Sequence, residues 1–156
     1  MKKWPVYFLA LAVVLLLGWT PFEGTDVAQL QPVRVIRISS ELGRVTVETD
    51  TGDLGVGKNG QEAIAHLKET TAGQVFLDTA DFILVDERSL QLLPELADVL
   101  RPGCGVCLAE GKMDLKDAGE FLEIHSPKFT LQDIRAGQSK LEKLTVSKGR
   151  MELAAE

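Results

Sequence analysis

The sequence predicts an α/β fold: a single small domain with a mixed sheet and about three helices, opened by a β-hairpin and preceded by an N-terminal apolar membrane segment. Three observations predict it. A length of 156 residues, 45% apolar and 26% charged, suits one globular domain. Short runs rich in β-branched residues alternate with stretches of helical spacing. An uncharged run stands directly behind Met1-Lys2-Lys3. The boundaries read as a signal-anchor or signal peptide over 1–19, a linker over 20–32 and an extracytoplasmic domain over 33–156.

The N-terminal run extends from Trp4 to Trp19 without a charge. Positive charge ahead of such a run holds the N-terminus in the cytoplasm and sends the downstream chain across the membrane. As a helix it would extend roughly 24 Å, a little short of a hydrocarbon core about 30 Å thick. Snorkelling lysines close that gap, with Trp4 and Trp19 at the two interfaces and Phe8, Leu11 and Leu15 between them. The small residues that a signal peptidase needs fit poorly near Gly18, Thr20 and Ala28. The reading is therefore a single-pass anchor in the cell membrane with the domain outside the cytoplasm; secretion after cleavage is the alternative. The formal net charge of −6 argues against a nucleic-acid partner and leaves contact with the bilayer to the N-terminal segment.

The linker carries Pro and Gly and ends before Val33-Arg34-Val35-Ile36-Arg37-Ile38, the first strand. Arg44 to Thr49 alternates and pairs back on it through Glu41-Leu42-Gly43 as an antiparallel hairpin. Gly52 to Gly60 reads as a glycine-rich loop. Ala63, Ile64 and Leu67 then mark one face of a helix over 61–70 that Gly73 ends. Phe82-Ile83-Leu84-Val85 is apolar throughout, as a strand buried on both faces is. Ser89 is placed to cap a helix whose stripe runs through Leu90, Leu93, Leu96, Ala97 and Leu100, with Pro94 inside it. A strand over Val106–Ala109 comes next, then a helix capped by Asp114 and ended near Pro127. In the tail, Phe129-Thr130-Leu131 reads as a strand, and Leu144–Val146 with Arg150–Leu153 as a hairpin turning at Lys148-Gly149.

Two motifs invite chemistry. Gly55, Gly57 and Gly60 spell G-x-G-x-x-G, with Asp78 and Asp81 about twenty residues on, the pattern of a dinucleotide fingerprint. The residues before it argue otherwise: Glu48 to Leu54 separates the loop from its strand, and that strand alternates in a hairpin. The expectation is a flexible glycine loop and no cofactor. Cys104-Gly105-Val106-Cys107 is the only cysteine pair. A redox dithiol sits at a helix N-terminus, whereas Leu108-Ala109 reads as strand, and residues three apart on a strand point to opposite faces. Cys107 belongs in the core and Cys104 in the preceding loop. A structural disulfide between them is the alternative, since an exported chain meets oxidising conditions. His66 and His125 are too isolated to nominate for a metal. Asp78, Asp81, Asp86 and Glu87 bracket one strand and read as solvated strand ends. No catalytic set stands out.

Several stretches resemble the N-terminal domain of the Ger(x)C proteins, the C subunits of bacterial spore-germination receptors. The resemblance runs over residues 33–125. It is carried by Val33–Ile38, by Glu62-Ala63-Ile64 behind the glycines, by Phe82–Glu87 with Leu92–Arg101, and by Val106–Gly111. The chain is similar to a divergent, single-domain form of that family, without the cysteine that its members carry after the apolar segment. The resemblance implies a non-enzymatic, membrane-attached extracytoplasmic subunit whose partners are membrane proteins such as other receptor subunits. The alternative function is an exported thiol-disulfide or other small enzyme using Cys104 and Cys107.

Overall fold

The computed structural model describes Tyr7, Leu9, Ala12, Val13 and residues 30–138, 140–147 and 149–155. The residues expected to mark the membrane segment, Trp4, Phe8, Leu11, Leu15 and Trp19, lie outside them. Within that stretch Tyr7, Leu9, Ala12 and Val13 are helical and exposed. Among the described residues no helix is long and apolar enough to cross a membrane.

The chain runs β1 (Leu30–Pro32), β2 (Val35–Glu41), β3 (Arg44–Thr49), β4 (Leu54–Gly57), α1 (Gly60–Thr70), β5 (Gln74–Phe76), β6 (Phe82–Val85), α2 (Leu93–Leu96), β7 (Gly105–Glu110), α3 (Leu115–Ile124), α4 (Leu131–Arg135), β8 (Glu142–Ser147) and β9 (Arg150–Ala155). Seven strands form one mixed sheet in the order β4-β3-β2-β6-β7-β8-β9. Its centre, β2-β6-β7-β8, is parallel, and antiparallel neighbours close both ends. A separate parallel pair joins β1 to β5, so the expected linker ends in a short strand. The fold is α/β with a mixed sheet, as the sequence predicts.

The side-chain parity of the strands divides the core in two. Ile36, Ile38, Val45, Val47, Ile83, Val85 and Val106 point toward α1, α2 and Leu131 of α4. Val35, Leu84, Cys107, Ala109 and Leu144 point toward Leu115, Ala118 and Leu122 of α3. Among the described residues three helices therefore cover one face and α3 alone covers the other. Gly119 makes that possible: a Cβ there would stand 2.8 Å from Val35 Cγ2. Between α3 and α4 the chain changes face beside β7. Strand β8 registers only with Leu108–Glu110, and the earlier half of β7 meets residues 129–131 instead. Val106 N–H donates to the Phe129 carbonyl and Leu131 N–H to that of Cys104, each at 2.9 Å.

Three local expectations are corrected. The glycine-rich stretch contains a strand, β4, antiparallel to β3. Ser89 does not cap a helix. Residues 87–92 form 3₁₀ turns, and α2 begins only at Leu93, with Pro94 in its first turn. A proline there has no N–H to return to residue 90, so one helix cannot run through from Leu90 to Leu100. Phe129-Thr130-Leu131 is not a strand. Thr130 caps α4 in a reciprocal box, its side chain accepting from Asp133 N–H while the Asp133 carboxylate accepts from Thr130 N–H at 2.8 Å.

The β2–β3 turn is a two-residue loop in which Leu42 and Gly43 both take positive φ, 50° and 74°. That conformation suits asparagine and glycine, whereas a leucine is strained in it, and Leu42 is fully exposed besides. Leu42→Asn is expected to stabilise the domain by about 1 kcal/mol, read as a rise in Tm of about 3–5 °C.

Candidate functional site

Sequence reasoning nominates the glycine segment and the cysteine pair, and the geometry of each is decisive. Gly55 and Gly57 lie on β4, where α1 crosses with its backbone almost in contact. A Cβ on Gly55 would strike the Ala63 carbonyl oxygen and stand 2.6 Å from Leu67 Cβ. One on Gly57 would strike Ala63 N and stand 2.6 Å from Glu62 Cβ. Gly60 faces Leu96, with 2.8 Å to Cδ2. Gly55 and Gly57 are thus required by packing between strand and helix, while Gly60, the first residue of α1, lies against the Leu96 side chain of α2. The segment is a rigid contact and not a flexible loop.

The helix start behind it is occupied by the protein's own groups. Asn59 Oδ1 accepts from Glu62 N–H at 2.8 Å, and the Glu62 carboxylate accepts from Lys58 N–H at 3.0 Å. A carboxylate here repels a phosphate from the very amides that a dinucleotide fingerprint offers. The residues present do not suit a nucleotide.

Cys104 and Cys107 are both free, fully buried and on opposite faces of the sheet. The Cys104 thiol lies in the α1–α2 side of the core and donates to the Ala80 carbonyl at 2.9 Å. Cys107 packs beneath α3. The two thiols are not joined in a disulfide, because strand geometry turns them apart. Burial pushes the Cys107 thiol up to about 12, with the Glu142 carboxylate adding to the shift. Burial also raises Cys104, against the pull of Arg101. Both are protonated at neutral pH, whereas the nucleophile in thiol chemistry is the thiolate.

Asp81 and Asp86 stand at opposite ends of β6, about 17 Å apart along an extended chain. Each faces an arginine. Asp81 pairs with Arg101, and Asp86 with Arg37 at 3.4 Å, while Arg37 also donates to the Gly111 carbonyl at 2.9 Å. They tie strand ends together and do not form an acid–base pair. Among the described residues no group of three His, Cys, Asp or Glu side chains is placed to hold a metal.

Two features escaped the sequence reading. A cleft of about 460 Å³ opens between the β3–β4 turn and the start of α3, lined by Glu48, Asp50, Lys112, Asp114 and Lys116 among others. Two of its carboxylates are already committed: Asp50 accepts from Arg34 N–H at 3.1 Å, and Asp114 caps α3. The second feature is Glu142, a buried carboxylate that accepts from Lys128 N–H at 2.8 Å and pairs with its ammonium at 3.3 Å. The alternation of Glu142, Leu144 and Val146 along β8 was the available signal, since it sets all three on the α3 face.

No family model matches the chain, and no curated protein or solved structure matches it either.

Gly55→Ala is expected to lower stability by about 3 kcal/mol through displacement of α1, measured by urea unfolding. For the thiols, an aromatic disulfide reagent is expected to label neither cysteine in the folded chain and both in denaturant. The protonated form of Cys107 is the one that the fold favours. Its contribution to stability is present below the ordinary thiol value of 9.0 and is lost as pH rises toward 12. The urea midpoint should fall across that interval, and less steeply in Cys107→Ala.

Proposed function

We propose that the chain is a non-enzymatic interaction domain held at the outer face of a cell membrane by its N-terminal segment, where it meets membrane-protein partners laterally. The observation that carries this reading is the uncharged run from Trp4 to Trp19 behind Lys2 and Lys3. A net charge of −6 keeps the domain itself off an anionic lipid surface, so attachment falls to that run. The resemblance to the Ger(x)C N-terminal domain adds the class of partner: subunits of a spore-germination receptor in a spore-forming bacterium.

The architecture suits such a role better than it suits catalysis. Glycines that mimic a nucleotide loop are consumed in packing, and the thiols are sealed in the core. The thiol-disulfide alternative requires a reactive thiolate, and burial of both cysteines counts against it.

Fractionation of cells expressing the full chain tests the proposal. The chain is expected to sediment with membranes, to resist high salt and to be released by detergent, whereas deletion of residues 1–19 should leave it in the soluble fraction. Recovery of the intact, unprocessed chain as a soluble cytoplasmic protein would sink the reading. A chain shortened near Trp19 and found outside the cell would replace the anchor with a cleaved signal.

A further inference from the structure

We infer that Asn59-Gly60 is a site of spontaneous modification: the folded start of α1 protects a labile amide there, and conversion of Asn59 to isoaspartate keeps α1 from docking again. Asn59 is the only asparagine in the chain and stands directly before a glycine. That order favours attack of the glycine's backbone nitrogen on the side-chain amide, because no Cβ obstructs the approach. The Gly60 nitrogen gives up its proton to hydroxide and bonds to Asn59 Cγ, closing a five-membered imide. The side-chain nitrogen takes a proton and leaves as ammonia. Water then opens the ring at either carbonyl. Opening at Cγ leaves aspartate in the original main chain. Opening at the α-carbonyl leaves isoaspartate, with the chain rerouted through Cγ and the α-carboxylate set free.

The folded backbone withholds this reaction. Asn59 is exposed, so water reaches its amide. Ring closure, however, needs Asn59 Cβ and the Gly60 nitrogen nearly eclipsed about the Cα–C bond. At ψ 173° the two are staggered, roughly 60° apart. Two bonds hold that torsion: Asn59 Oδ1 accepts from Glu62 N–H at 2.8 Å, and the Glu62 carboxylate accepts from Lys58 N–H at 3.0 Å. Glycines on both sides add to it, since Gly57 is pressed against Ala63 and Gly60 against Leu96. Reaction therefore waits for the first turn of α1 to open.

The two products differ in what the fold can take back. Aspartate caps a helix about as well as asparagine does. Isoaspartate adds one backbone atom between the Cα of residue 59 and the Gly60 nitrogen, in a segment clamped at residues 57 and 60. The helix cannot then rest on β4 in its former register, and Ala63, Ile64 and Leu67 lose their buried seat. The modification is thus a one-way release of α1.

The test uses the full chain in detergent at mildly alkaline pH, with peptide mapping that separates asparagine, aspartate and isoaspartate at position 59. Loss of asparagine is expected to be at least about tenfold slower in the folded chain than in guanidinium chloride. Glu62 is exposed, and Glu62→Ala removes the acceptor for Lys58 N–H. That variant should react about threefold faster when folded and at the parent's rate in guanidinium. Glu62→Gln, which still accepts, should behave as the parent in both. Chains aged in guanidinium, returned to buffer and briefly exposed to a protease should carry isoaspartate in the cleaved fraction and aspartate in the intact one. Equal rates in the folded and unfolded chain, no loss of asparagine in either, a folded rate indifferent to Glu62→Ala, or isoaspartate as protease-resistant as aspartate would each overturn the inference.

Discussion

Strand β2 meets an antiparallel neighbour at one edge and a parallel one at the other, and both of its faces are covered. Ile36 and Ile38 sink into the side of the core that α1 and α2 close, while Val35 is met by α3. This double burial makes β2 the strand against which the other layers are aligned. The hairpin with β3 sets its outer register, the parallel bonds to β6 set its inner one, and Gly119 lets α3 approach to van der Waals contact with Val35. The polar atoms at its start are satisfied in the same way. The Arg34 carbonyl accepts from Asp81 and Phe82 N–H, and Asp50 N–H donates to the Val35 carbonyl.

Close approach of helix to sheet recurs on the other face, where it explains the motif that looked most like a ligand site. A glycine doublet on β4 brings the α1 backbone within reach of the strand, and Gly60 admits Leu96. Glycine serves two ends in nucleotide loops, access for a phosphate and access for a helix. Here the second use accounts for Gly55 and Gly57, and Gly60 lies against a side chain of the next helix. The cysteines obey the same logic. Each occupies a fully buried position on its own side of the sheet, where a small apolar side chain packs well and a thiolate is strongly disfavoured.

Much of this architecture was legible from residue patterns. The hairpin of β2 and β3, the two-sided burial of β6, the Asp114-capped helix α3 and the terminal hairpin each carry a short-range signal: alternation, a continuous apolar run, a capping residue, a Lys-Gly turn. The readings that failed were those in which a local signal competed with a long-range contact. The apolar stripe after Ser89 suggested one helix, but Pro94 divides it, and the buried Ser89 hydroxyl has no hydrogen-bond partner among the described residues. The residues 54–57 looked like loop because glycine has no strand preference, yet β3 and α1 together hold them extended. Thr130 and Asp133 did advertise a helix cap, and the apolar residues beside them obscured it.

The chain's own residue order settles the α/β class, the alternation of strands and helices and the apolar, lysine-led N-terminus, because those stem from charge and from periodicities of two and 3.6 residues. Which face each helix takes, why three glycines stand where a phosphate loop was suspected, and why two cysteines three residues apart never meet were decided only on folding. Those outcomes depend on which backbone lies against which across the sheet, a relation between residues far apart in the chain that no local spacing encodes.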